Sequence, residues 1–224
     1  YEIVSVGEDI TILLDGRPVR TPKKQLLIAP TVALADAIAS EWRSQDKTIA
    51  PITMPLTRFA NTAIDAVAET KESVAADIVA YAGNDMLCYR AEAPVELVRQ
   101  QASRWDPVLA WAARVLDARF LTVCGIMPIA QPPEALAAFR QALVPYDAFG
   151  LTGVHVLTTL TGSALLALAH ARGAFDANAT WVAAHVDEDY QISLWGEDFE
   201  AAERRKRRRA EFDAASTMLK LLAQ

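Results

Sequence analysis

Residues 10–21, ITILLDGRPVRT, decide how the chain begins to fold. The dipeptide Asp15-Gly16 stands between two largely apolar runs, and such a dipeptide is a strong signal for the two-residue turn of a β-hairpin. Residues 2–6 have the same strand-like content, and residues 25–28 would add a further strand. The sequence therefore predicts a small β-sheet at the N-terminal end.

The rest of the chain has mainly helical periodicity. Helices are predicted over residues 31–42, 56–67, 71–81, 94–105, 107–116, 134–143, 148–171, 178–194 and 198–222, and short strands over residues 86–90 and 120–123. Pro107 marks a fresh helix start, with Asp106 as its cap. The predicted fold class is α+β. A small β-rich N-terminal domain with flanking helices covers residues 1–92, and a larger all-helical C-terminal domain covers residues 93–224.

The composition is that of an ordinary globular protein. The 224 residues are enough to bury a sizeable core, and 52% of them are hydrophobic against 22% charged. A net charge of −6 argues against general nucleic-acid binding. Cys88 and Cys124 lie far apart among apolar residues and outside any CxxC or Cys/His pattern. They are expected to be reduced, buried thiols, and no metal site is predicted.

Two features bear on where the protein resides. The sequence starts at Tyr1 without a methionine, so the native N-terminus is expected to be missing, and the lack of a targeting segment is weak evidence. Residues 148–171 carry no formal charge and are long enough to cross a bilayer. Their threonines, glycines and two histidines instead favour a central helix that protein buries on all sides.

Residues 185–198, HVDEDYQISLWGED, place an acidic group among aromatic side chains. At about 100° per residue, Trp181, Glu188, Ile192 and Trp195 fall on one narrow stripe of a single predicted helix. A carboxylate in an apolar stripe loses hydration unless it is paired. Two interpretations follow for Glu188: an ion pair with an arginine on a neighbouring helix, or a recognition group that a docking partner buries.

The neighbouring acids do not build a catalytic pair with Glu188. Asp187 and Asp189 point about 100° to either side of it, whereas paired acid and base groups must converge on one substrate. Glycine-rich phosphate loops, GxSxG and HExxH are also missing from the sequence. An enzyme with Glu188 and His185 in a cleft between the two domains remains the alternative interpretation, since the two residues are one helical turn apart.

The three histidines recur every fifteen residues. His155 and His170 share one predicted helix and stand about 22 Å apart along it, so they cannot bind one metal ion. A structural role is expected for both of them and for His185.

A dense basic run occupies residues 204–209, RRKRRR. It could bind nucleic acid or another anionic surface. In a helix, however, six consecutive residues spread around the axis, and pairs such as Glu200–Arg204 and Glu203–Arg207 offer local neutralisation. One or two of the arginines could also pair with Asp187 or Glu188.

Six segments together resemble a known family. They are residues 15–22, 41–42, 54–65, 85–90, 105–107 and 189–196. In order and spacing they are similar to the assembly chaperones for the α subunit of the F-type ATP synthase catalytic sector, which occur in mitochondria and alphaproteobacteria. The resemblance spans about residues 11–212. The basic run at residues 204–209 departs from the family pattern and leaves the role of the last helix open.

The resemblance implies a function and a set of partners. Such chaperones are not enzymes and need no cofactor; they bind the unassembled α subunit, prevent its aggregation and release it as the α/β hexamer forms. The family fold has a β-rich N-terminal and a helical C-terminal domain. The implied protein is monomeric alone, binds no nucleic acid, does not insert into membranes, and resides in the bacterial cytoplasm or alternatively the mitochondrial matrix.

The resemblance also indicates site residues. An acidic residue in the C-terminal segment is important in the family, and Glu188 is its best match by position, while Trp42 occupies another position that the family needs. The residues expected to contact the partner are Glu188, Asp187, Asp189, Gln191, Trp195, Trp42 and Arg20.

Overall fold

The computed structural model describes residues 2–6 and 9–223, with side chains from residue 10 onward. The chain divides into two compact units. The first comprises Tyr1–Val74, Tyr146–Gly153 and Ala214–Gln224, and the second comprises Ala75–Pro145 and Val154–Asp213. The predicted α+β class is confirmed. The predicted domain boundary near residue 92 stays a prediction.

The N-terminal sheet is organised around one central strand. Strand β2, Asp9–Leu14, pairs antiparallel with β1, Glu2–Val6, with β3, Arg17–Pro18, and with β4, Ile28–Ala29. Between β2 and β3 lies the predicted tight turn, whose Asp15-Gly16 residues have φ of +52° and +74°. Both central turn residues therefore have the positive φ of a type I′ hairpin turn, which asparagine, aspartate and glycine tolerate.

The first helices of unit 1 begin where side chains cap them. Helix α1, Val32–Arg43, begins after Thr31, whose hydroxyl oxygen accepts a bond from the Leu34 backbone N–H at 3.1 Å. Helix α2, Pro55–Thr62, is capped by Glu41 of α1, whose carboxylate accepts the backbone N–H groups of Leu56 and Thr57 at 2.7 and 2.8 Å. Burial raises the pKa of Glu41, and these donors oppose that rise.

A distorted segment joins α2 to the next helix. A π-helical turn, Ala63–Val67, precedes helix α3, Ala68–Gly83, which is kinked at Thr70. The two helices predicted over residues 56–67 and 71–81 are therefore present with shifted bounds. A 3₁₀ turn, Met86–Cys88, then leads into strand β5, Tyr89–Arg90, so the predicted strand over residues 86–90 is only partly correct.

Unit 2 contains a second, two-stranded sheet. Strand β5 pairs in parallel with β6, Val123–Cys124, so the C-terminal segment is not entirely helical. Both cysteines are free thiols. Cys88 is buried as predicted, and burial raises the pKa of its thiol to about 12. The predicted burial of Cys124 is wrong, since Cys124 is exposed at the end of the two-residue strand β6.

Helix α4, Val95–Val115, runs through Pro107 without a break. The predicted fresh start at Pro107 is wrong. Trp105 and Val108 are fully buried on either side of the proline, and this packing holds the segment helical despite the lost backbone hydrogen bond. Asp106 does not cap a helix; its carboxylate pairs with the Arg90 guanidinium at 2.8 Å.

The bounds of the remaining helices differ from those predicted. They are α5 Pro133–Leu143, α6 Ala148–Thr161, α7 Ala164–Ala171, α8 Ala177–Ala184, α9 Val186–Trp195 and α10 Phe199–Leu222. The single helix predicted over residues 148–171 breaks at Gly162, where φ is +70°, and the one over residues 178–194 breaks at His185. Within the described ranges, no helix combines the length and the apolar character needed to span a bilayer.

Buried Asp85 fixes the α6–α7 break. Its carboxylate accepts the Ser163 hydroxyl at 2.9 Å, the Leu165 backbone N–H at 3.0 Å and the Leu87 backbone N–H at 3.1 Å. Ser163 in turn caps α7 by accepting the Leu166 N–H at 3.0 Å. One carboxylate thus joins the 3₁₀ turn before β5 to the start of α7.

Burial raises the pKa of Asp85 to about 6 from its ordinary 3.8, although its hydrogen-bond donors oppose the rise. The folded state therefore binds more protons than the unfolded chain between these two values. Asp85 then contributes most to stability below about pH 4, and that contribution is lost as the pH rises through 6. We expect the stability advantage of the natural protein over Asp85→Asn to shrink by about 1–3 kcal/mol from about pH 4 to pH 7.

Urea unfolding at several pH values would measure this difference. In the companion variant Ser163→Ala, the carboxylate of Asp85 loses one hydrogen-bond donor, so the pH range over which its stabilising contribution is lost should move to higher pH. If the stability advantage of the natural protein over Asp85→Asn stays constant or grows with pH, the raised pKa of Asp85 is contradicted.

Candidate functional site

The acidic run at residues 187–189 lies in the first turn of α9. Because the chain breaks at His185, Trp181 belongs to α8 and is not on one helical stripe with Glu188, Ile192 and Trp195. The predicted stripe across residue 181 is therefore wrong. The three acids do diverge, as their spacing requires, and each has different surroundings.

The two outer acids hold α9 to neighbouring helices. Asp187 accepts a hydrogen bond from the Gln101 amide of α4 at 2.7 Å, and the amide oxygen of the same buried glutamine accepts the Ala91 backbone N–H at 2.8 Å. On the other side, Asp189 forms an ion pair with Arg205 of α10. Both side chains thus position α9. Among the described residues, no arginine forms an ion pair with Asp187 or Glu188, so neither predicted arginine pairing is found there.

The middle acid is partly exposed. The Glu188 side chain is 37% exposed, and its ion-pair contact is with the His185 Nε2 atom at 3.9 Å. Burial lowers the pKa of His185, which is stacked on Trp181 with ring centroids 3.8 Å apart and meets the Trp181 carbonyl through Nδ1 at 2.8 Å. A neutral imidazole does not compensate the charge of Glu188. Its carboxylate therefore stays available to a cation from outside.

An open hollow lies beside Glu188, between the end of α9 and the start of α10. It encloses about 180 Å³ and is lined by Glu188, Gln191, Ile192, Trp195, Gly196, Glu197, Asp198, Ala201 and Ala202. Three of these residues are acidic and none is basic. The lining thus combines an apolar floor with a negative rim.

Large apolar side chains are exposed in the hollow, at Trp195, and directly next to its lining residues in the sequence, at Leu194 and Phe199. Trp195 is 82% exposed, Phe199 is 79% exposed and Leu194 is 54% exposed. We call the hollow together with Leu194 and Phe199 the α9–α10 corner. Neighbouring exposed aromatic side chains with a polar rim are typical of surfaces that bind other proteins. Sequence reasoning missed Phe199, although a phenylalanine opening an otherwise charged helix is an available signal.

The remaining predicted site residues have other surroundings. Gln191 lines the hollow beside Glu188. Trp42 is half-buried in the last turn of α1, and Arg20 donates through Nη1 to the Lys24 carbonyl at 2.7 Å, which braces its own loop. These last two residues belong to unit 1, whereas the α9–α10 corner belongs to unit 2.

The basic run on α10 is only partly engaged within the protein. Arg205 pairs with Asp189, Arg209 pairs with Asp213 at 2.9 Å, and Arg208 donates to the Leu160 carbonyl. The predicted pairs Glu200–Arg204 and Glu203–Arg207 are not among the ion pairs of the residues that the structure describes. Arg204, Lys206 and Arg207 point to solvent.

The contribution of the Asp189–Arg205 ion pair to stability can be measured separately from other contacts. Because both side chains are partly buried, a double-mutant cycle of Asp189→Ala and Arg205→Ala is expected to give a coupling energy of about 0.5–1 kcal/mol, measured by urea unfolding. The control cycle of Arg209→Ala and Asp213→Ala removes a pair within one helix and should give about 0.3–0.5 kcal/mol. A coupling near zero for the first pair would show that it does not position α9.

Among the residues that the structure describes, no group of three or more histidine, cysteine, aspartate or glutamate side chains is arranged to hold a metal ion. His155 lies in α6 and His170 in α7, so the prediction that they share a helix is wrong. His170 contacts the Phe175 carbonyl through Nδ1 at 2.8 Å, which is a structural role.

Exposed aromatic side chains beside acidic ones are typical of the class of proteins that bind other polypeptides. Within that class, the chain belongs to the ATP12 chaperone family, whose model, described as ATP12 chaperone protein, matches residues 1–113. It is therefore a chaperone of ATP synthase assembly, and transient binding of a client follows from that role.

Solved structures agree with this membership over nearly the whole chain. A candidate chaperone from Agrobacterium tumefaciens is 47% identical, with a TM-score of 0.95 over 99% of this chain and 83% of that one. Atp12 from Paracoccus denitrificans is 43% identical, with a TM-score of 0.94 over 99% of this chain and 95% of that one. A single-residue variant of the Paracoccus protein is 42% identical and matches with the same TM-score over 99% and 94% of the two chains.

Proposed function

We propose that this chaperone binds the unassembled α subunit of the F-type ATP synthase catalytic sector, prevents its aggregation and releases it when it assembles with β. A subunit destined for a hexamer exposes apolar interface before its neighbours arrive, and such surface aggregates. A chaperone for it needs an exposed apolar surface of its own. The α9–α10 corner, with exposed Trp195 and Phe199 and the partly exposed carboxylate of Glu188, is the observation that carries this proposal.

The corner suggests how the client is recognised. Trp195 is the aromatic anchor, and Glu188 accepts a basic group of the client, with Gln191 beside it in the same hollow. Asp187 and Asp189 act through α9 by fixing its orientation. Trp42 and Arg20 remain proposed contacts of the other unit, on the strength of the family resemblance alone.

Release of the client requires no nucleotide on this proposal. If the α-subunit surface covered by the chaperone is one that β later occupies, β displaces the chaperone by competition. Such an exchange favours a chaperone interface of ordinary size, about 1,200–2,000 Å² with a polar rim, over an obligate one. We further propose that the chaperone is monomeric when free and acts in a bacterial cytoplasm or, alternatively, a mitochondrial matrix.

We also propose that the protein catalyses no reaction. The alternative of an acid and histidine site needs both groups within reach of a substrate, yet His185 is only 3% exposed and does not line the hollow beside Glu188. That hollow, at about 180 Å³, is also smaller than the usual small-molecule site of about 300–1,000 Å³.

Co-expression tests the choice of client. The α subunit of an F-type ATP synthase is produced alone, with this chain, and with the double variant Glu188→Gln/Trp195→Ala, and the soluble and co-purified fractions are measured. We expect soluble α subunit with the natural chain and largely insoluble α subunit alone or with the variant. Equal precipitation with and without the natural chain would refute the proposed client.

A further inference from the structure

A second hollow in unit 2 is unrelated to the α9–α10 corner. It is an open concavity of about 540 Å³, a volume within the usual range for ligand sites. Its first wall is the C-terminal half of α4, and its second is the segment at residues 172–175 that follows α7. We call it the arginine hollow, because Arg114 stands on the first wall and Arg172 on the second.

The α4 wall supplies an apolar floor. Pro107, Trp111 and Arg114 recur at helical spacing and therefore share one face, together with Ala110 and Val115. Trp111 is almost fully buried, so its ring forms the base of the hollow rather than a protruding group. Phe175 from the opposite wall adds a second aromatic ring.

The second wall is held in place by its own hydrogen bonds. Gly173 has φ of +70°, and the Ala174 backbone N–H donates to the Ala169 carbonyl at 2.9 Å, which ends α7 in a left-handed cap. The Phe175 carbonyl meets His170 Nδ1 at 2.8 Å. This segment is thus fixed before any ligand arrives, which lowers the entropic cost of binding.

The charge in the hollow is uncompensated. Neither Arg114 nor Arg172 forms an ion pair within the part of the chain that the structure describes, and no lining residue is acidic. The Arg172 guanidinium donates from Nη2 to the Ala142 carbonyl at 2.9 Å, so it is oriented while its other N–H groups stay available. Two guanidinium groups thus border an aromatic floor with no carboxylate between them.

We propose that the arginine hollow binds an acidic peptide segment of a partner protein, with a carboxylate at the two arginines and a neighbouring aromatic side chain on Trp111 and Phe175. Guanidinium groups bind carboxylates through two parallel charge-assisted hydrogen bonds, and the missing negative charge of the lining is the complement of such a segment. The inference depends on the geometry of this hollow and not on which subunit is the chaperone's client.

Two blocked pentapeptides test the proposal on the full-length, ¹⁵N-labelled protein. One has a central glutamate between two phenylalanines, and its match has glutamine in place of the glutamate. Amide and indole shifts on titration give both the site and the affinity. We expect the glutamate peptide to shift Trp111 and residues 172–175 with a Kd of about 1 mM, and the glutamine peptide to bind at least tenfold more weakly.

Two double variants distinguish binding at the arginine hollow from attraction to exposed basic residues elsewhere on the protein. Arg114→Gln/Arg172→Gln should weaken binding of the glutamate peptide at least tenfold, whereas the matched Arg204→Gln/Arg207→Gln removes two exposed charges of α10 and should change it less than twofold. Arg114→Gln alone, at an exposed helix position, serves if the first double variant does not fold. Four results would each overturn the proposal. The two peptides could bind equally well, or the two double variants could lose the same affinity. The shifts at residues 172–175 could be absent, or sodium acetate could bind as tightly as the glutamate peptide.

Discussion

Replacing Trp195 by alanine is expected to weaken binding of the unassembled α subunit by at least about 30-fold, or about 2 kcal/mol, without destabilising the chaperone. The reason is that the indole is 82% exposed in the free protein, so its truncation removes little internal packing. Anchors of this kind gain their energy when a partner desolvates them. Affinity can be measured by titrating the chaperone against aggregation of the α subunit, followed by light scattering.

The conservative variant Trp195→Phe keeps an aromatic ring at the same position and should retain most of the activity. Val144→Ala, another exposed apolar position of unit 2, should behave like the natural chain. If Trp195→Ala suppresses aggregation fully at the concentration at which the natural chain does so, the α9–α10 corner is not part of the binding surface.

Replacing Trp105 by alanine is expected to destabilise the fold, unlike Trp195→Ala. The expected loss in the free energy of unfolding is about 3–5 kcal/mol. Its indole is 1% exposed, donates from Nε1 to the Ala183 carbonyl at 2.7 Å and lies 5.3 Å from the Arg90 guanidinium. Truncation therefore leaves both a large cavity and an unpaired buried carbonyl. Urea unfolding followed by circular dichroism measures the loss.

A comparison within the same position separates packing from hydrogen bonding. Trp105→Phe keeps much of the ring volume and loses the N–H donor, so it should be clearly less destabilising than Trp105→Ala. A loss below about 1 kcal/mol for Trp105→Ala would mean that this tryptophan does not anchor α4 to the end of α8.

The N-terminal hairpin could be predicted from the sequence because its turn chemistry is local. Asp15-Gly16 has the backbone angles that the dipeptide favours, and the strands on both sides pair accordingly. The break between α6 and α7 could not be predicted in the same way. Apolar residues continue across Gly162, and the break is fixed by Asp85, which lies nearly eighty residues earlier in the sequence.

The candidate site was predictable in part for the same reason. Helical spacing shows that Asp187 and Asp189 diverge from Glu188, and this is a local property. It does not show that Gln101 and Arg205 engage the two outer acids, since both partners come from other helices. Sequence reasoning therefore placed all three acids in the binding surface, whereas in the structure the two outer acids engage Gln101 and Arg205 and only Glu188 lines the hollow.

The segments that carry the family resemblance are largely joined to one another inside the protein. Trp105, from one such segment, is a fully buried anchor. Polar contacts join three further pairs from these segments: Glu41 with Thr57, Thr21 with Asp65, and Arg90 with Asp106. These segments therefore report the fold more than the binding site, and the site has to be argued from exposure and charge at the α9–α10 corner.

Site-specific photo-crosslinking tests the proposed binding surface most directly. A benzophenone amino acid is placed at Trp195 or, as a control, at Val144, which is also exposed and lies in the same unit. Each variant is illuminated in a co-expression lysate, and the products are identified by mass spectrometry. We expect the α subunit to be crosslinked from residue 195 and not from residue 144. Crosslinking from residue 144 alone, or from neither residue while the α subunit still co-purifies, would contradict the assignment of the client to the α9–α10 corner.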